Sequence, residues 1–252
     1  LAMDSQSMME IPYKNQGIPI YRVCASGQTP HPAIILIHEV WGLTDHIKDV
    51  AGRFCEAGFE VIAPDLLAGT DVAKHAKPEL QRVLFDPVER PKHQVEIRAM
   101  MTPLGAPDFA PTVIDKLQAC FSYLKTEPSV TKIGVVGFCF GGTYSFGLAA
   151  NQSELAAAVP FYGHGEHWLE DVSKINCPVM AFYGQRDESL NEHIPVIKQA
   201  LAGAGKDFKY KIYKDAGHAF FNDTNPLTYN KPAADDAWKL TLEFLNQNLN
   251  QA

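Results

Sequence analysis

The stretch Ile133-Gly-Val-Val-Gly-Phe-Cys139-Phe-Gly-Gly142 constrains the fold more than any other part of the chain. Ile133 to Val136 is apolar and β-rich, as a strand buried on both faces is. Gly137, Gly141 and Gly142 then crowd around one cysteine, and a small-residue helix follows through Tyr144 to Ala150. A strand that turns this sharply into a helix forces its central residue into a strained conformation, and small neighbours let the backbone pass. The side chain at the tip projects beyond the carboxyl ends of the strands, beside the N–H groups of the helix start. This is the geometry of a nucleophile elbow, with cysteine at its tip. The dinucleotide fingerprint does not fit, because Gly134 and Gly137 lack the Gly-x-Gly-x-x-Gly spacing. A free cysteine is ordinarily a small buried hydrophobe, so the case for Cys139 as a nucleophile rests on what lies downstream.

The rest of the chain supplies a sheet for this turn. Ile18 to Ala25 reads as an opening edge strand, and Ala33 to His38, an apolar run bounded by Pro32 and Gly42, as a central one. Thr44 is expected to cap a helix carrying Ile47, Val50, Ala51, Phe54 and Cys55 on one face, with Gly58 ending it. Phe59 to Ala63 is the next strand. From Leu66 to Pro107 periodicity is poor and prolines recur, which predicts an irregular excursion with short helices, the wall or lid of a site or a solvated connection. Phe109 to Leu124 returns to an amphipathic helix. Strands at Leu155 to Tyr162, Pro178 to Tyr183 and Phe208 to Tyr213 alternate with helical segments at Ile194 to Ala202 and after Pro232. Such alternation implies an α/β fold, a mostly parallel central sheet with helices on both faces. A single domain over residues 11–252 is expected, with residues 1–10 a disordered or tag-derived terminus and the native start at Met3, Met8 or Met9.

Asp187 follows the strand Pro178 to Tyr183 in the turn Gly184-Gln-Arg-Asp187-Glu, and His218 follows Phe208 to Tyr213 in Gly217-His218-Ala-Phe-Phe. Residues just past the strands of an open α/β sheet line its crevice, so both belong at the rim that carries Cys139. The types fit the chemistry: an imidazole takes the thiol proton, and a carboxylate fixes its tautomer and stabilises the imidazolium. Glu39 ends the strand before Val40-Trp41-Gly42 and is a fourth catalytic candidate. The loop Glu39 to Gly42 and the residue after the nucleophile, Phe140, are positioned to offer backbone N–H groups to an oxyanion.

These motifs, His38-Glu39-Val40-Trp41-Gly42, Gly137-Phe-Cys139-Phe-Gly-Gly142, Tyr183-Gly-Gln-Arg-Asp187 and Gly217-His218-Ala-Phe-Phe-Asn222, resemble the dienelactone hydrolase family, the cysteine branch of the α/β-hydrolases. The resemblance implies the α/β-hydrolase fold, a Cys139–His218–Asp187 triad and an oxyanion hole from the N–H groups of Val40 and Phe140. It also implies that Glu39 contacts the resting thiol and takes part in its activation when substrate arrives. The reaction implied is hydrolysis of an ester or lactone through an acyl-thioester, with no cofactor. A thioesterase or acyltransferase, or a silent binding protein on the same fold, is the alternative. Members specialised for dienelactone hold its carboxylate with arginines, one of them four residues after the histidine. This chain has Asn222 there, and nothing in the sequence brings Arg82, Arg90 or Arg98 to the site, so neutral or larger esters and lactones are expected. Trp41, Tyr162 and Asn222 are the candidate substrate contacts.

Composition closes off other classes. The formal net charge of −7 and the lack of a basic run argue against nucleic acid or an anionic membrane as partner, and no apolar run is long enough to span a bilayer. Five cysteines, odd in number and unevenly spaced, suggest neither a disulfide framework nor a zinc site. A reactive thiol suits a reducing compartment, so a cytoplasmic monomer or weak homo-oligomer acting on a small molecule is expected. His164-Gly-Glu166-His167 resembles a metal-ligand cluster, but its spacing matches no zinc signature. It is taken as a structural or pocket-lining loop, with no metal. Met100-Met101 is assigned to core or lid, and Arg186 to a surface ion pair as readily as to the site.

Overall fold

The structure, a computed structural model, describes residues 5–24 and 30–250. Eight strands form one sheet: β1 (Ser5–Tyr13), β2 (Gln16–Cys24), β3 (His31–Ile37), β4 (Glu60–Pro64), β5 (Val130–Phe138), β6 (Ala157–Phe161), β7 (Val179–Gly184) and β8 (Phe208–Tyr213). Their spatial order is β1-β2-β4-β3-β5-β6-β7-β8. The first two pairings are antiparallel and all the others parallel. β3, β4 and β6 are buried along their whole length, which is why they read as continuous apolar runs.

Two early expectations need correction. Residues 5–10 are not a disordered terminus: they belong to β1, whose Ile11 pairs with Ile18 and Met9 with Ile20 across a two-residue turn at Lys14-Asn15. Residues 1–4 and Ala25 lie outside the described residues. The strand expected at the edge is therefore flanked on both sides, and β1 is the edge.

The helices are α1 (Asp45–Glu56), α2 (Asp71–His75), α3 (Pro78–Val83), α4 (Gln94–Met101), α5 (Phe109–Thr126), α6 (Phe140–Asn151), α7 (Glu188–Asn191), α8 (Ile194–Gly203) and α9 (Lys231–Leu249). α1 and α9 cover one face, meeting where Phe54 packs on Trp238 with ring centroids 4.7 Å apart. α5, α6 and α8 cover the other. Thr44 does stand at the N-cap of α1, but its hydroxyl makes no capping bond. The excursion at 66–107 holds α2, α3, α4 and short 3-10 turns, as its sequence predicts. Met100 is buried there, whereas Met101 points out and is 45% exposed, so only the first is a core contact. Among the described residues no helix is long and apolar enough to cross a membrane.

The chain runs from β3 to β4 on one side, then returns to place β5 on the other side of β3. That reversal is a topological switch point, where open α/β sheets form their crevice. Register aligns the strand ends: Ile37 opposes Gly137, and Phe138 opposes Phe161. Glu39, Cys139 and Tyr162 consequently emerge side by side.

Candidate active site

Cys139 stands between β5 and α6 at φ 60°, ψ −112°. A non-glycine residue pays steric strain in that region, and such strain persists only where the surroundings fix it. Here they are glycines. A Cβ on Gly137 would sit 2.0 Å from the Gly141 carbonyl oxygen, one on Gly141 2.1 Å from that of Ile37, and one on Gly142 2.3 Å from that of Phe161. No side chain fits these contacts, so the elbow packs backbone to backbone against β3 and β6. Tyr162 and Ala219, also at the rim, have positive φ as well.

His218 and Asp187 are held by a second close approach. The Asp187 turn and the His218 loop are zipped together by Gln185 N–H to Tyr213 O and Arg186 N–H to Ala216 O, each 2.9 Å. A Cβ on Gly184 would lie 2.5 Å from the Gly217 oxygen. The result is a continuous line: Cys139 Sγ is 3.0 Å from His218 Nε2, and His218 Nδ1 is 2.6 Å from Asp187 Oδ2. Burial works against protonation of His218, but the charge of the adjacent Cys139 sulfur and the bond to Asp187 outweigh it. Its pKa is raised well above the histidine range.

Glu39 is 4% exposed, and burial raises its pKa to about 7, although His218 and Asn222 both favour the charged form. Asn222 Nδ2 lies 3.4 Å from Glu39 Oε1, and its Oδ1 accepts from both Thr224 N–H and Thr224 Oγ1. Read as a substrate contact in the sequence, Asn222 is buried and holds Glu39 instead. Tyr162 is likewise buried, its ring 5.0 Å from that of His218. Trp41 is half-buried beside the rim. The Phe140 N–H opens α6 and so has no intrahelical partner, and the Val40 N–H donates no hydrogen bond among the described residues.

Two contributors had no signal in the sequence. Phe85, from the aperiodic excursion, lies over the other side of His218 with ring centroids 5.7 Å apart. His38 is fully buried, accepts from Leu66 N–H at 3.0 Å, contacts the Glu39 carbonyl through Nδ1 and stacks on Phe140. It thereby fixes the start of the excursion against the loop that carries Val40. Arg82, Arg90 and Arg98 are exposed, and Arg186 pairs on the surface with Asp215 at 3.5 Å.

A mostly parallel eight-stranded sheet, with a strained elbow at its switch point, defines an α/β-hydrolase. The profile of the dienelactone hydrolase family matches residues 20–249, and the chain belongs to that family. A "Putative carboxymethylenebutenolidase" of Saccharolobus solfataricus is 32% identical, the match covering 94% of this chain and 98% of the relative. A solved "Putative Dienelactone Hydrolase" from Klebsiella pneumoniae superposes with TM-score 0.79 at 24% identity, covering 98% and 100% of the two chains. The dienelactone hydrolase-like phosphotriesterase P91 from metagenomic libraries superposes with TM-score 0.72 at 21% identity over 98% and 99%. At these identities the solved structures bear on the fold alone.

Proposed function

We propose that the chain hydrolyses neutral esters or lactones through a thioester on Cys139. The observation that carries this is the hydrogen-bonded line Cys139–His218–Asp187, with the sulfur strained outward at the switch point. His218 Nε2 accepts the thiol proton, and the sulfur attacks the carbonyl carbon. The oxygen, now negative, sits against the N–H groups of Val40 and Phe140. Collapse breaks the carbon–oxygen bond of the ester, and the leaving alkoxide takes the proton from His218. A water then gives its proton to the same imidazole, attacks the thioester, and releases the acid while the thiol is restored. Asp187 holds the Nδ1–H tautomer throughout.

Glu39 is the electrostatic partner of this pair. A buried carboxyl with pKa about 7 is partly protonated at neutral pH and gains or loses charge easily as a ligand enters. The exposed positions of the three excursion arginines, and Asn222 turned to Glu39, favour substrates without a carboxylate of their own. A thioesterase or acyltransferase uses the same groups and differs only in the acyl acceptor.

The test is turnover of a nitrophenyl ester by wild type and His218→Ala. Turnover should fall about a thousandfold or more while the melting curve stays in place. Near-normal turnover by the variant removes His218 from the mechanism.

A further inference from the structure

The loop after β6 and the start of α8 bring three imidazoles around one carboxylate. One ligand atom each of His164, Glu166 and His167 lies within 4.8 Å of the other two. His193, the residue before α8, joins them with Nε2 3.9 Å from Glu166 Oε1. The rings of His164 and His167 are parallel with centroids 5.1 Å apart, and His193 meets His164 edge-on at 6.3 Å. None of the four belongs to the Cys139 line.

Two features separate this cluster from an ordinary polar surface. Glu166 is 12% exposed; its Oε1 meets His164 Nδ1, while its Oε2 is buried with no hydrogen-bond partner. A buried carboxylate oxygen without a donor is a group that a cation would satisfy. The backbone beneath is also fixed. His164 N–H donates to Thr143 Oγ1 and Trp168 Nε1–H to the Thr143 carbonyl, both at 2.8 Å. Gly165 packs so closely on Phe146 and Ile197 that a Cβ would meet them at 3.0–3.2 Å. The carboxylate and loop are thus set in place, while the side chains of His164 and His193 remain 42% and 44% exposed and within reach of solvent.

We propose that His164, Glu166, His167 and His193 form a binding site for one divalent transition-metal ion of the zinc, cobalt or nickel type. Imidazole and carboxylate ligands hold such ions at roughly 2.0–2.2 Å, which sets tetrahedral ligands about 3.4 Å apart. Rotation of the half-exposed imidazoles toward the fixed Glu166 closes the difference. Imidazole nitrogen outnumbers oxygen three to one in this set, which selects against magnesium and calcium, whose ligands are oxygens. The ion would tie α8 to the loop that leans on Thr143, one turn into the elbow helix. The sequence concealed this because the His-x-Glu-His spacing is not a zinc signature and the fourth ligand starts another helix.

Metal-stripped protein titrated with cobalt(II) and, by calorimetry, with zinc(II) tests the assignment. One equivalent should bind at micromolar concentration or tighter, with a visible cobalt spectrum and a raised melting temperature, and magnesium should not compete. His167→Ala and His193→Ala, both at exposed or half-exposed positions, should each weaken binding tenfold or more with unchanged circular dichroism. Glu166→Gln should do the same, and the histidine variants decide the matter if it does not fold. Binding that persists undiminished in the His167→Ala/His193→Ala double variant overturns the proposal. So does the absence of stoichiometric binding, or a near-ultraviolet sulfur-to-cobalt band placing the ion on Cys139. None of these readouts depends on whether Cys139 is the nucleophile.

Discussion

Two regions meet on opposite sides of the His218 ring, and they are built differently. On one side Tyr162 belongs to the elbow region, where strand ends and α6 touch backbone to backbone and every residue of α6 through Ala150 is buried. On the other side Phe85 belongs to the excursion, a run of short helices that leaves Val88 66% and Val95 81% exposed. The elbow's geometry admits no larger side chains. The excursion rests on the rim through a few contacts, among them Leu66 N–H to His38. Bond-making groups need positions fixed within a fraction of an ångström, whereas the wall that sorts substrates tolerates change. The comparison therefore assigns chemistry to the elbow and selectivity to the excursion.

The largest effect expected is on the fold. Gly141→Ala drives a Cβ into the Ile37 carbonyl, and we expect soluble protein to be lost or stability to fall by about 4 kcal/mol or more. Val95→Ser in the excursion should stay within about 0.5 kcal/mol of wild type. Denaturant melts of the two variants give the contrast; similar stabilities would erase it.

Glu39 yields a smaller effect that depends on pH. Its pKa is raised to about 7 in the folded protein, so the native state holds the proton more tightly than the unfolded chain. Stability should then fall as pH rises from about 4.5 through about 7, by something on the order of 3 kcal/mol from this group. Glu39→Gln, which keeps a neutral side chain there at every pH, should flatten that slope. An unchanged slope in the variant means that Glu39 is not the group responsible.

Phe85→Ala should be the mildest. Loss of an aromatic contact worth about 0.5–1.5 kcal/mol corresponds to roughly a two- to tenfold change. We expect it in the kcat/KM ratio between bulky and small esters, with little change in melting temperature. A variant that unfolds, or that loses kcat equally on all esters, would place Phe85 with the chemistry and blur the two regions.

The sequence disclosed the first region far better than the second. Gly137, Gly141 and Gly142 announce close backbone approach because few other constraints demand glycine at that spacing, and buried parallel strands announce themselves as apolar runs. Asp187 and His218 follow from strand ends. β1 was hidden because Ser5–Tyr13 has weak alternation and is specified by its pairing with β2. Phe85 was hidden for a similar reason: its segment has no period, and its partner lies far along the chain. Asn222 could be located at the rim from its distance to His218, but its turn toward Glu39 is a contact across 183 positions. His193 and the His164 loop meet only because α8 packs beneath β6's loop.

The central claim is that the acyl group passes through Cys139, and trapping it is the direct test. Enzyme quenched with acid during turnover of a slow ester, then weighed intact and mapped by peptide, should carry one acyl group on Cys139. Iodoacetamide modification of the same residue should abolish both the adduct and turnover. An acyl group on any other side chain, or full turnover by protein with Cys139 carboxamidomethylated, would contradict the account.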